Sequence, residues 1–142
     1  MSTEFCGPDG RVMKAPVPDV ICDLILNAPG SYWTSGSGDA GLSRTQASVT
    51  SELYLAMSAE RTFHLRYIRD LNVLEYLVPV LTPDLSDTTV IYLGGEPTRL
   101  PCSFFVDPQQ ASEAVRFFLS TGEPLPALQW VPLYEQDWND EV

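Results

Sequence analysis

His64 is the only histidine in the 142-residue chain, so any imidazole chemistry would rest on it alone. It lies in Thr62–Ile68, an alternating run with Phe63, Leu65 and Tyr67 on one side and His64 and Arg66 on the other. That pattern predicts an exposed or edge histidine rather than a general base. Ser58 and Ser120 stand in no GxSxG turn. Cys6, Cys22 and Cys102 are odd in number and widely spaced, and form no CxxC pair. Cys22 and Cys102 fall in apolar runs and read as buried free thiols, which suits a reducing compartment. Asp84 and Asp87 could approach a cation, but nothing completes a hard-ion loop of the required spacing. No feature selects two carboxylates as a glycosidase pair. The Ser35–Gly41 stretch is Gly- and Ser-rich but lacks the strand–GxxxxGK–helix setting of a phosphate loop, and reads as a hairpin loop or mobile insertion. No metal or cofactor is expected. The chain reads as a binding protein rather than an enzyme. A hydrolase built from dispersed residues and a small-ligand or scaffold module are the competing classes.

The charge points to the kind of partner. Nineteen Asp and Glu face eight Lys and Arg, a formal net charge of −11. Phosphate backbones are bound by clustered Lys and Arg, so direct nucleic-acid binding is disfavoured. A basic protein partner is favoured, with the charge acting mostly on the rate of association. The acids placed to meet such a partner are Asp84 and Asp87 in the loop before a strand, Glu96 after that strand, and Glu123 beyond a helix end. In the tail, Glu135, Asp137, Asp140 and Glu141 surround Trp138, an aromatic of the kind that anchors interfaces, and Asp137 beside it is the acid placed to meet the partner. No run is long enough to span a membrane. Met1–Gly10 is polar and lacks the apolar core of a secretion signal, so a cytoplasmic location is expected.

The elements that must position these residues are best marked between Thr89 and Leu133. Val90–Leu93 predicts a strand ended by Gly94-Gly95, and Cys102–Val106 a second. Asp107 is a helix cap, Pro108 suits the first helical position and Gln110 completes a capping box. Ala111, Ala114, Val115, Phe118 and Leu119 then share one face of a helix that Gly122 stops. Phe118 and Val115 are expected to pack near Leu65, Tyr92 and Phe104. Leu128–Val131 reads as a last strand, with Trp130 in a structural role. Earlier, Pro18–Leu26 predicts a short helix, with a buried strand as its rival, and Ser31–Thr34 a brief strand. Val49–Met57 and Thr62–Ile68 read as antiparallel strands, followed by a turn at Asp70–Asn72. Val73–Leu81 fits either strand or helix, and Pro79 puts it at an edge or near an end. The expected architecture is α+β: one domain over 1–142, with an antiparallel or mixed sheet of about five strands and the 108–121 helix on one face. Residues 1–16 read as a loose lead-in and 135–142 as an acidic tail.

Three segments carry a resemblance. Tyr92-Leu93-Gly94-Gly95-Glu96, LPCSFFVDPQQA (Leu100–Ala111) and AVRFFLSTGEPLPALQW (Ala114–Trp130) resemble the C-terminal part of the Imm1 family of bacterial immunity proteins. The likeness covers about a third of the chain. It implies a small cytoplasmic antidote that binds and inhibits a cognate antibacterial toxin. The toxin it implies first is a nucleic-acid deaminase, with a nuclease or another enzyme as the alternative. No catalytic residues are implied, and a deaminase partner would hold its zinc in the toxin. Gly122, Pro126 and Trp130 carry the resemblance as determinants of fold.

Overall fold

The computed structural model describes residues 1–70 and 72–142. Among the described residues, ten strands and three helices form an α+β fold whose main sheet is antiparallel throughout. The expected turn at Asp70–Asn72 includes Leu71, which lies outside the described residues.

The first sixteen residues are not a loose lead-in. β1 (Ser2–Cys6) and β2 (Val12–Lys14) form a hairpin, and β1 pairs along its length with β3 (Ala40–Gln46). The turn is the Gly7–Gly10 segment, closed by Gly10 N–H donating to Gly7 O at 3.0 Å. Phe5 alone of β1 is fully buried, so the strand reads as polar in the sequence. β3 turns through Ala47-Ser48, both at positive φ, into β4 (Val49–Met57), which pairs with β5 (Phe63–Arg69). β6 (Leu77–Pro79) and β10 (Trp130–Pro132) extend the sheet beyond β5, with Pro79 closing its strand. The order is β10-β6-β5-β4-β3-β1-β2, with the short β9 (Phe105–Val106) also paired to β5. β7 (Thr88–Leu93) and β8 (Glu96–Pro101) make a separate hairpin around Gly94-Gly95.

Both faces of the main sheet are covered. On one lie α1 (Pro18–Asn27), the single turn α2 (Gly30–Trp33) and α3 (Pro108–Thr121). Ile21, Ile25, Trp33, Val115 and Phe118 pack there with Leu53, Leu55, Phe63, Leu65 and Tyr67. The other face carries the β7–β8 hairpin and a 3-10 turn at Cys102–Phe104. Ala56, Val78, Ile91, Leu100, Phe104, Phe105 and Leu133 form a second core there. Phe118 therefore shares the helix-side core with Leu65 and lies T-shaped to the Tyr67 ring, away from the other two expected neighbours. Phe104 lies across the sheet, and Tyr92 is 55% exposed.

The α3 boundaries follow from its caps. Asp107 Oδ1 accepts from Gln110 N–H at 2.7 Å, and Gln110 Oε1 accepts from Asp107 N–H at 3.0 Å. Gly122 ends the helix at φ 75°, a left-handed conformation that glycine adopts without a Cβ penalty. Arg44 donates to Leu119 O and Ser120 O, supplying partners to the last carbonyls. Asp107→Ala should cost about 1 kcal/mol in a urea melt, with an unchanged m-value.

Other expectations shift with local chemistry. Ser31–Trp33 is helical rather than extended, because Trp33 is fully buried beside α1 and its Nε1–H donates to Leu24 O at 3.0 Å. Ser35–Gly38 is neither a hairpin loop nor a free insertion. It is a turn docked on the β7–β8 tip, where Gly95 N–H donates to Ser37 O and Gly94 N–H to Asp39 Oδ1. The Cys102–Val106 strand is extended only over Phe105–Val106. Cys102 is exposed rather than buried, whereas Cys22 is buried with its thiol toward Ser112 O. Trp130 packs on the helix-side core and donates from Nε1 to Leu125 O at 2.8 Å.

Candidate functional site

Asp84 lies in the loop that leads to β7. Its Oδ1 accepts from Ser86 N–H at 2.9 Å and from the Ser86 hydroxyl at 2.7 Å. These bonds fix the carboxylate and hold its pKa below the ordinary value. Across an open groove of about 870 Å3 stand Asp137, Trp138 and Glu141. The tail reaches this position because it is pinned. Leu133 is buried in the second core, and the Trp138 ring meets Phe104 edge-on with centroids 5.5 Å apart. Trp138 Nε1–H donates to Arg99 O at 2.9 Å, and Arg99 Nε–H donates to Glu141 O at 2.6 Å. Trp138 is thus already engaged with its own chain, and its half-buried ring forms a wall of the groove rather than a free anchor. Arg99 Nη1 also donates to Thr88 Oγ1 at 3.0 Å, tying tail, β8 and β7 together.

The remaining acids do not join this patch. Asp87 does not line the groove; its main-chain carbonyl accepts from Cys102 N–H at 2.7 Å. Glu96 is exposed at the opposite end of the hairpin, beside the docked Ser37–Asp39 turn. Glu123 pairs with Arg69, both half-exposed, and lines a separate cavity with Glu75, Glu135 and Tyr134. So exposed an ion pair adds little stability. Asp84, Asp137 and Trp138 come together, while Asp87, Glu96 and Glu123 lie apart from them.

His64 is buried, against the expectation of an exposed side chain. Alternation in β5 does place it opposite Phe63 and Leu65, but the second core covers that face. Its Nδ1 lies 3.0 Å from Phe104 O, and Arg66 Nε–H donates to its Nε2 at 2.9 Å. The carbonyl requires a proton on Nδ1, and the Arg66 donor requires a lone pair on Nε2. Burial, and then the Arg66 charge, lower its pKa to about 3. With both ring nitrogens engaged inside the protein, His64 offers no base to a substrate. Arg66 itself lies over the Tyr76 ring, 5.5 Å from its centroid. Among the described residues no carboxylate lies within ion-pair distance of Arg66, and no cluster of three or more His, Cys, Asp or Glu is disposed to hold a metal.

Sequence reasoning missed the Arg99 junction. Arg99 is one of two Arg or Lys residues between Ile68 and Phe105, and nothing local marks its contacts with residues some forty positions away. No described helix is long and apolar enough to cross a membrane. No protein-family model matches the chain, and no curated protein matches it significantly.

Proposed function

We propose that this chain is an immunity protein that binds and inhibits a cognate antibacterial toxin, in the first instance a nucleic-acid deaminase. The observation that carries the reading is the groove between the Asp84 loop and the tail. There Asp84, Asp137 and Glu141 converge from distant parts of a chain with a net charge of −11. An enzyme that handles nucleic acid presents a basic channel to its substrate, and fixed carboxylates are complementary to such a channel. Asp84 is held in place before any partner arrives, which reduces the ordering cost of binding. The resemblance of Leu100–Trp130 to immunity proteins points the same way. A nuclease, or another toxin with a basic groove, would meet the same surface. The partner is a protein; the chain itself is proposed to bind neither nucleic acid nor membrane, and to need no cofactor.

Charge should control the encounter. The double variant Asp84→Lys, Asp137→Lys should slow association with the toxin by about tenfold at low salt, and the difference should shrink as salt screens it. Its thermal midpoint should stay near that of the parent, since both side chains are exposed. Stopped-flow rates independent of both salt and these substitutions would remove the groove from the account.

A further inference from the structure

The β7–β8 hairpin has two edges, and they are treated differently. Gly94-Gly95, both at positive φ, form a two-residue turn closed by the Leu93–Glu96 pair. Counting from that pair, Leu93, Ile91 and Thr89 bond across the hairpin. The Asp87 carbonyl, which accepts from Cys102 N–H, continues the same series. The main-chain groups of Thr88, Val90 and Tyr92 on β7, and of Pro97, Arg99 and Pro101 on β8, therefore point outward.

The β8 edge is blocked. Pro97 and Pro101 have no N–H to offer, and Arg99 O already accepts from Trp138. The β7 edge carries no proline and no charge over its sequence TTVIYL. Its outward N–H and C=O groups at Thr88 and Val90 have no hydrogen-bond partner among the described residues. Its far end is shielded: a Cβ on Gly38 would come within 3.1 Å of Tyr92 O.

We propose that β7 is a strand-addition site, and that its occupant is an extended segment of a protein partner with an uncharged, β-branched centre and Lys or Arg at its ends. Resting on the immunity reading above, this names how the partner docks. Main-chain bonds to Thr88 and Val90 would supply the pairing. The ends are specified by charge: Asp87 immediately precedes β7, while Asp39 and Glu96 flank its other end at the Gly94-Gly95 turn. Acids that share no patch thus acquire one geometry, as the two ends of a single bound strand. A second copy of this chain is the weaker occupant, because it would bring one charge of −11 against another.

The test is amide hydrogen exchange by NMR on the whole chain, alone and with synthetic peptides. In the free protein the amides of Thr88 and Val90 should exchange rapidly, while those of Thr89 and Ile91 are protected. A peptide with an alternating Thr-Val centre and Lys-Arg at each end should slow Thr88 and Val90 by at least about tenfold. The same peptide with its central amides N-methylated should give no slowing, and Glu at both ends should weaken the effect. Because the protein is unchanged in these arms, no variant has to fold. Thr88 and Val90 already protected in the monomer, protection arising only by self-association, or slowing that survives N-methylation would each overturn the proposal. If β7 takes the basic peptide but the toxin is not inhibited, the immunity reading fails alone. If the toxin is inhibited with no new protection at Thr88 and Val90, the strand-addition site fails alone.

Discussion

Phe118→Ala should lose about 3–5 kcal/mol of unfolding free energy. The ring is 0% exposed and lies between α3 and the sheet, edge-on to Tyr67 with centroids 6.2 Å apart. Truncation removes the transfer free energy of the ring and leaves a cavity. Its neighbours cannot readily fill that space: α3 is fixed at its start by the Asp107–Gln110 box and at its end by Gly122 and Arg44. Such a loss is a large part of the stability of an ordinary domain. A urea melt reads it as a lower midpoint with an unchanged m-value. A loss below about 1 kcal/mol would mean that the α3 face does not form the core described.

Acid should act on this fold through His64. In the unfolded chain its imidazole takes a proton near pH 6.5, while in the fold it resists protonation down to about 3. Between those values the unfolded state binds more protons, so stability rises with pH and is lost as pH falls. The slope approaches about 1.4 kcal/mol per pH unit below the unfolded pKa. Protonation in place would set an N–H on Nε2 against the Arg66 Nε–H donor and strand both groups beneath the second core. Between pH 7 and pH 5 the parent should lose about 2 kcal/mol more than His64→Gln, which cannot titrate there. Equal losses in the two proteins would show that His64 is solvated in the fold.

The parts of this architecture legible in the sequence are those whose signals are local. Asp107, Pro108, Gln110 and Gly122 mark α3 because each acts on backbone within a few residues of itself. β4 and β5 are legible because Leu53, Leu55 and Met57, then Phe63, Leu65 and Tyr67, alternate over whole strands. β1 and β3 are not: only Phe5 of β1, and Ala40 and Leu42 of β3, are buried. The sequence pattern therefore predicts a sheet of about five strands where the main sheet has eight. His64 illustrates a different limit. Alternation tells which side of a strand a residue takes, not whether that side meets water; here a hairpin some thirty residues onward covers it. The acids that line the groove could be named from composition, but their grouping could not. Asp84 faces the tail across the groove because Arg99 and Phe104 hold Trp138 in place.

The most direct measurement is the activity of the proposed partner toxin, titrated with the purified protein. The account predicts that activity falls linearly to a floor at one equivalent, and that the two proteins then co-elute as a complex. Full toxin activity in the presence of excess folded protein, with no complex formed, would contradict it.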